Sequence, residues 1–212
     1  MFQTLIDLFL HLDAYLIGVV IKYGLLAYPI LFVVIFLETG VVVTPFLPGD
    51  SLIFVAGALS SQGLLSFFWL FITLSVAAIL GDSVNYFIGK FLGGKVKHLK
   101  FINEEHIGKT EKFYEQHGGK TLIIARFIPI VRTFAPFIAG VGKMKYSRFF
   151  GYNVFGGLLW VAIFLSLGFF FGNFPFVKEN LSAFIIFIVL LSFVPGLYKL
   201  IESNLKKMFK KK

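Results

Sequence analysis

The sequence contains no cysteine, which excludes disulfide bonds and metal centres held by thiolates. It is also poor in charge, because aspartate, glutamate, lysine and arginine together make up only 15% of the 212 residues. The four histidines do not have the spacing of a metal site, so we expect neither a metal ion nor another cofactor. A P-loop is absent as well, which argues against ATP hydrolysis by this chain.

Apolar residues dominate the composition. They account for 58% of the chain and give a mean hydropathy of +0.86, whereas a soluble domain is about 45–50% apolar. This composition predicts a single, mainly α-helical membrane domain. The net charge of +9 would suit nucleic acid in a soluble protein. In a chain this apolar it indicates membrane topology and attraction to anionic lipid, so we expect a membrane-lipid partner and no nucleic acid.

The apolar runs are of two lengths. Three are close to the roughly 20 residues that a helix needs to cross a bilayer: Leu64 to Leu80, Phe149 to Phe171 and Leu181 to Ile201. Leu25 to Leu37 would extend only about 20 Å before Glu38 interrupts it, and Ser51 to Leu59 only about 13 Å. Neither crosses about 30 Å of hydrocarbon. Together they predict a re-entrant hairpin, and two spans kinked at proline are the alternative.

Residues 121–142 repeat this form, since two apolar arms again flank a proline and charged residues. The Phe-Val-Ala-Gly quartet at residues 54–57 also echoes Phe-Ile-Ala-Gly at residues 137–140. If the first hairpin opens outward and the second inward, nearly all loop lysines from Lys90 onward fall in the cytoplasm, as the positive-inside rule requires. The sequence therefore predicts an inverted repeat of two opposed re-entrant hairpins, a plan that places transport sites near the midplane.

The remaining segments complete this layout. The start of the chain has the apolar surface of an interfacial helix, although it would also suit a first span, and it lacks the basic region of a signal peptide. The predicted order is an N-terminal amphipathic helix (1–22), a first re-entrant hairpin (25–59), a transmembrane helix (64–89), a charged cytoplasmic segment (90–120), a second re-entrant hairpin (121–142), two transmembrane helices (146–172 and 181–201) and a basic tail (202–212).

Four charged residues lie inside the two hairpins: Glu38 and Asp50 in the first, Arg126 and Arg132 in the second. A charge at bilayer depth costs at least about 2.5 kcal/mol, so it is rarely retained without a partner or a task. Guanidinium groups bind phosphate through paired hydrogen bonds and stay charged at any working pH. We therefore predict that Arg126 and Arg132 bind a phosphate head group, with Glu38 and Asp50 as their counter-charges when no substrate is bound.

If the arginines exchanged their carboxylate partners for a phosphate, this exchange would be linked to protonation of the carboxylates. A carboxylate that loses a neighbouring arginine to a phosphate takes up a proton more readily. Glu38 and Asp50 are accordingly predicted to couple transport to protons. The alternative is that the four charges merely hold the two hairpins together, and the position of Asp50 after Pro48 and Gly49 also suits a helix N-cap.

Other residues are predicted to support the site. Pro45, Pro48, Gly49 and Pro129 break the hairpin helices. Asp82 and Tyr86 lie one turn apart near the inner end of a span. They are predicted either to make a helix-end hydrogen bond that supports the structure or to take part in gating. The sevenfold spacing of Tyr146, Asn153 and Trp160 puts them on one helix face, and both aromatics are interpreted as interfacial or packing residues. Glycines at 151, 156 and 157 permit close helix approach and suggest a homodimer.

Four runs and two single residues together resemble the DedA family, which shares the VTT, or SNARE-associated, membrane domain. They are Glu38 to Asp50, Gly81 to Lys90, Gly118 to Pro136, Met144 to Phe149, Asn153 and Trp160. The resemblance covers about residues 25–165 in matching order and spacing, and it is specific.

This resemblance implies opposed re-entrant hairpins and lipid translocation. Bacterial members are implicated in returning undecaprenyl phosphate to the cytoplasmic leaflet and in physiology that depends on the proton motive force, and eukaryotic relatives resemble phospholipid scramblases. The essential acidic pair of the family falls on Glu38 and Asp50, and its essential arginines on Arg126 and Arg132. We expect a multi-pass inner-membrane protein with a cytoplasmic C-terminus that carries undecaprenyl phosphate, or a related anionic phospholipid, in a proton-coupled manner.

An enzyme is not expected. A lipid-phosphate phosphatase would need a nucleophile or base near its arginines, commonly histidine, and all four histidines lie outside both hairpins. Two other functions remain open, a proton-coupled exchanger of a small anion or ion and a passive phospholipid scramblase. A lipid route differs from an ion route because it needs a lateral opening for the lipid tail.

Overall fold

A computed structural model of the protein describes residues 22–41, 49–93 and 119–172, together with residues 18 and 174. These residues are almost entirely helical and contain no strand, which confirms the predicted all-α class. After a short 3-10 turn (Gly24–Leu26), the helices are α1 (Ala27–Gly40), α2 (Gly49–Ser61), α3 (Phe67–Gly93), α4 (Lys120–Ala125), α5 (Pro129–Val141) and α6 (Tyr146–Phe171).

Several predicted segments lie outside the described residues. They include the loop between α1 and α2, with two of the prolines predicted to support the site. The complete set is almost all of residues 1–22, Pro45 and Pro48, most of residues 90–120, the predicted span 181–201 and the basic tail 202–212.

The helix ends follow from local chemistry. Helix α3 continues beyond the predicted end at residue 89, because Lys90 in its last turn interacts favourably with the negative end of the helix dipole. Helix α5 begins at Pro129, a first-turn position at which the missing N–H of proline costs nothing. Ile128, just before it, has extended backbone (φ −114°, ψ 110°), and residues 126–128 separate α4 from α5.

Helices α3 and α6 are the two long elements, and both are long and apolar enough to cross a membrane. They run antiparallel. Near the start of α3, the Phe67 ring lies 5.3 Å from that of Phe169 near the end of α6. Near the end of α3, Tyr86 stacks on Phe149, at 4.5 Å between ring centroids, close to the start of α6. At each end of the molecule, the start of one long helix therefore lies beside the end of the other.

The short helices come in two pairs, and the members of a pair pack on different long helices. In the first pair, α1 packs along α3 and α2 along α6; in the second, α5 packs along α3 and α4 along α6. The backbone N–H of Ser66 donates to the Tyr28 hydroxyl at 2.8 Å, so the starts of α1 and α3 lie side by side. Helix α2 begins beside Glu38, near the end of α1, and returns to Ser61 close to the start of α3.

The two Phe-x-Ala-Gly quartets dock in equivalent ways. The carbonyl of Phe54 lies against Gly168 of α6, and the carbonyl of Phe137 lies against Gly89 of α3. A Cβ atom at either glycine would overlap that carbonyl. The last glycine of each quartet also meets a backbone carbonyl of the same long helix. The echo in the sequence thus corresponds to a repeated contact in which each half of the chain inserts a short helix against the long helix of the other half.

The exterior of the helices is apolar. Large side chains such as Phe68, Phe91, Phe155 and Phe170 are more than half exposed. The interior holds one apolar cluster around the first half of α3, which includes Trp160, and another around Tyr86 near the end of α3. Charged side chains occupy the region between these clusters, where they form the candidate site.

Candidate functional site: a buried cluster of ion pairs

Arg132 joins α5 to both helices of the first pair. Its Nη1 donates to Asp50 Oδ1 at 2.5 Å, and its Nη2 donates to Glu38 Oε1. The Glu38 side chain is 2% exposed and those of Arg132 and Asp50 are 11% exposed. Charge-assisted hydrogen bonds at such burial are strong, and one guanidinium here bridges two carboxylates from different helices. The structure thus brings together three of the four charged residues that the sequence placed at the site.

Gly49 holds the Glu38 carboxylate at the start of α2. Its backbone N–H donates to Glu38 Oε1 at 3.1 Å, and a side chain at residue 49 would overlap that carboxylate. The start of a helix has unpaired N–H groups and a partial positive charge, so it favours an anionic group. Gly49 was predicted to support the site by breaking a helix, and the structure shows that it also makes room for the carboxylate.

Arg126 has different partners from those predicted. Its Nη2 donates to Asp82 and to Asn153 Oδ1, the latter at 2.6 Å. The prediction that Glu38 and Asp50 serve as counter-charges for both arginines is therefore wrong for Arg126. The placement of Asp82 near the end of a span is also wrong, since this residue lies in the middle of α3, with its side chain 10% exposed.

Trp160 connects the two ion-pair groups. Its indole Nε1 donates to Asp50 Oδ1 at 2.8 Å. The Cζ atoms of Arg132 and Arg126 lie 5.2 and 5.9 Å from its ring centroid, within the range of cation–π attraction. Its interpretation as a packing or interfacial aromatic was therefore incomplete. The seven-residue spacing from Asn153 was the available signal, because two turns of helix place both side chains on one face.

Asn85 links the two halves of the site through their backbones. Its Nδ2 donates to the carbonyl of Thr39, near the end of α1, at 3.1 Å and to the carbonyl of Thr133 on α5 at 2.8 Å. Thr39 itself donates through its hydroxyl to Ile35 O at 2.9 Å. Asn85 is not among the site residues predicted from the sequence, because the residues next to it in the chain do not show which two distant carbonyls it will contact.

Tyr86 does not join the charged cluster. It is fully buried, donates its hydroxyl to the carbonyl of Met144 and stacks on Phe149. It therefore fixes the end of α3 to the segment that leads into α6. This contact agrees with the predicted structural hydrogen bond rather than with direct gating.

Two small cavities flank the cluster, each with free space for about one water molecule. Three residues line both: Asp82, Arg126 and Arg132. Cavity A is lined in addition by Glu38, Thr39, Thr133 and Trp160. Cavity B is lined in addition by Leu122, Ala135, Pro136, Phe149 and Asn153.

The cluster has unused hydrogen-bonding capacity. Within the described ranges, Glu38 Oε2 and Arg126 Nη1 are buried without a hydrogen-bond partner. The cluster also contains three carboxylates and two guanidinium groups. A guanidinium released from a carboxylate here would have donors free for another anion. No group of histidine, aspartate and glutamate in the part of the chain that the structure describes is arranged to hold a metal ion.

Comparisons with known proteins give a consistent result. The VTT domain family matches residues 47–170. The chain is 50% identical over 205 residues to protein DedA of Escherichia coli K12, covering 94% of each chain. It is 38% identical over 151 residues to the inner membrane protein YqjA of the same strain, covering 70% of this chain and 69% of YqjA. An uncharacterized membrane protein of Mycobacterium leprae is 39% identical over 172 residues, covering 80% of this chain and 77% of that protein. No solved structure matches the chain.

Proposed function

This chain belongs to the DedA family of VTT-domain membrane proteins, and on that premise we propose that it moves a phosphate-bearing lipid between the two leaflets of the membrane. The substrate is undecaprenyl phosphate or a related anionic phospholipid. The observation that carries this proposal is the burial of two guanidinium groups, Arg126 and Arg132, between cavities inside a helical body with an apolar exterior.

The arginines suit a phosphate for electrostatic reasons. A guanidinium presents donors in a planar fork that matches phosphate oxygens, and a low-dielectric site strengthens the attraction. Arg126 Nη1 is a buried donor with no hydrogen-bond partner among the described residues. Arg132 becomes available when a phosphate displaces Glu38 or Asp50. Both groups line cavity A, so a phosphate that entered there would meet donors from both arginines.

The carboxylates suit coupling to protons. With every group ionised, three carboxylates and two guanidinium groups leave one excess negative charge in a buried site, which is costly without compensation. An arriving phosphate adds further negative charge and removes arginine from its carboxylate partners. Proton uptake by a carboxylate of the cluster relieves both costs. Protons therefore accompany the phosphate in this mechanism.

The architecture proposed for transport is an inverted repeat. Helix pairs α1–α2 and α4–α5 are each interpreted as a re-entrant hairpin, because α2 returns to the end of the molecule at which α1 begins. The antiparallel arrangement of α3 and α6 and the equivalent docking of the two quartets support opposite openings for the hairpins. The inner membrane, with a cytoplasmic C-terminus, is the proposed location, in line with the name of the relative YqjA.

Flux in proteoliposomes tests the proposal. We expect a fluorescent short-chain polyprenyl phosphate to move between leaflets in the presence of the purified protein, and its rate to respond to an imposed pH gradient. Flux of chloride or inorganic phosphate without lipid movement would instead identify a small-anion exchanger. Lipid movement that ignores every imposed pH gradient would identify a passive scramblase and would refute proton coupling.

A further inference from the structure

Cavities A and B share one wall. Cavity A lies towards the first half of α3. Trp160 of α6, which lines this cavity, belongs to the apolar cluster around that half of the helix. Cavity B lies towards the end of α3, where Leu122, Ala135 and Phe149 belong to the cluster around Tyr86. The cavities are thus displaced from each other along the long helices. The side chains of Asp82, Arg126 and Arg132 stand between them.

The two arginines in this wall are held by different parts of the fold. Arg132 is paired with Glu38 and Asp50, both of which belong to the first helix pair. Arg126 is paired with Asp82 on α3 and hydrogen-bonded to Asn153 on α6, so it is held by the two long helices. A rearrangement of the first helix pair therefore changes the partners of Arg132 and leaves the Arg126–Asp82 pair in place.

Asn153 positions this second pair. It accepts from Arg126 through Oδ1, while its Nδ2 donates to the carbonyl of Ile79 at 3.0 Å and to the Ser83 hydroxyl at 3.3 Å. Both of those acceptors lie on α3, on either side of Asp82 along the helix. Asn153 thereby fixes α6 against α3 at the level of the ion pair. Asn153 consequently holds the Arg126 end of the pair, beside the helix that carries Asp82.

We propose that the Arg126–Asp82 pair is the gate between two anion subsites, one in cavity A and one in cavity B. An anion bound in cavity A by Arg132 and Arg126 reaches cavity B when Arg126 exchanges Asp82 for the anion and turns with it. Asn153 and Arg126 then form the polar part of the second subsite. This inference rests on the proposed function of the cluster as an anion pathway. It assigns to Asp82 the task of closing the pathway whenever no anion is present.

The absence of native cysteine allows a direct test of the barrier. Thr133 lines cavity A and Ala135 lines cavity B, and both lie on α5. Thr133→Cys and Ala135→Cys therefore introduce one thiol on each side of the gate. Because both side chains are more than nine-tenths buried, a small membrane-impermeant methanethiosulfonate is applied to right-side-out and to inside-out membrane vesicles. We expect each thiol to be labelled from one face only, and the two thiols from opposite faces.

Asp82→Asn removes the charge that holds Arg126 and changes the side-chain volume little. In this background we expect both thiols to become reactive from both faces. Ser75→Ala is the matched control, because Ser75 is a buried residue of α3 that lines neither cavity, and in the part of the chain described its hydroxyl has no hydrogen-bond partner. The control should keep the one-sided labelling of the parent protein.

Two results would overturn the gate. One is labelling of both thiols from both faces in the parent protein, which would mean that no barrier separates the cavities. The other is one-sided labelling that persists in Asp82→Asn. If Asp82→Asn does not yield folded protein, Asn153→Ala decides the matter in the same way, because it loosens Arg126 without changing charge. The readout needs no lipid substrate, so a failed gate is distinguishable from a failed lipid-transport proposal.

Discussion

The backbone N–H of Gly49 donates a 3.1 Å hydrogen bond to the carboxylate of Glu38, which lies on the other helix of the first pair. The same carboxylate accepts from Arg132 on α5. Three separate helices thus converge on one buried acid. The contact requires glycine for space, because a Cβ atom at residue 49 would fall on the carboxylate itself.

Gly49→Ala should displace Glu38 from the start of α2 and weaken its pairing with Arg132. Overpacking of this kind costs about 1–3 kcal/mol, so we expect a lower melting temperature in detergent and reduced lipid-phosphate flux. Gly151→Ala is the control, since nothing lies within 4 Å of a Cβ atom there and alanine favours helix over glycine by up to about 1 kcal/mol. Equal melting temperatures for the parent and Gly49→Ala would show that Glu38 has room to move.

Arg132→Lys should impair transport although it keeps the positive charge. A lysine ammonium cannot present two parallel donors to Asp50 and Glu38, or to a phosphate, as the guanidinium does. The loss of one charge-assisted hydrogen bond, about 1.5–3 kcal/mol, predicts binding of a short-chain polyprenyl phosphate weakened by about tenfold or more.

Arg148→Lys, at an exposed position on α6, is the matched control and should bind like the parent protein. Equilibrium binding in detergent provides the comparison. If Arg132→Lys and Arg148→Lys bound the lipid phosphate equally well, recognition through the guanidinium fork would be wrong.

Glu38→Gln should make transport independent of the proton gradient. The amide cannot titrate, and it is less costly to bury than a charge, so the protein should remain inserted. The measurement is flux in proteoliposomes with and without an imposed pH gradient. Glu115→Gln, in the charged segment between the predicted hairpins, removes one acid elsewhere and should leave the gradient dependence intact. A gradient response of parental size in Glu38→Gln would assign proton coupling to another group.

Single cysteines test the predicted topology. Ser61, at the end of α2, and Lys145, just before α6, lie at opposite ends of the long helices. A membrane-impermeant thiol reagent should therefore modify Ser61→Cys from outside and Lys145→Cys from the cytoplasmic side. Modification of both from the same face would refute the inverted repeat.

Much of the fold can be predicted from the sequence because it depends on local chemistry. Apolar run length distinguishes α3 and α6 from the shorter helices, and Pro129 marks the start of α5. The quartets at residues 54–57 and 137–140 indicate a repeat through their residue types alone. These features are set by residues close together in the chain, for which sequence patterns carry most of the information.

The partners of the charged residues could be predicted only in part. Arg132 pairs with Glu38 and Asp50, the partners predicted from the sequence, whereas Arg126 pairs with Asp82, 44 residues away. A charge count shows that both arginines need acids. It does not show which acid each guanidinium will reach, because this depends on the rotation of α3 about its axis and on how closely it packs against α6.

The amino-acid sequence by itself determined that this protein is a helical membrane protein whose charges are concentrated in two broken apolar segments. Only the tertiary structure decided that Trp160 and Asn153 join the charged cluster, that Asn85 binds both halves through backbone carbonyls, and that Asp82 stands between two cavities. The physical reason is the distance along the chain over which each kind of interaction acts. Hydrophobicity and helix breaking act over a few neighbouring residues, whereas buried hydrogen bonds form between whichever groups helix packing places within about 3 Å.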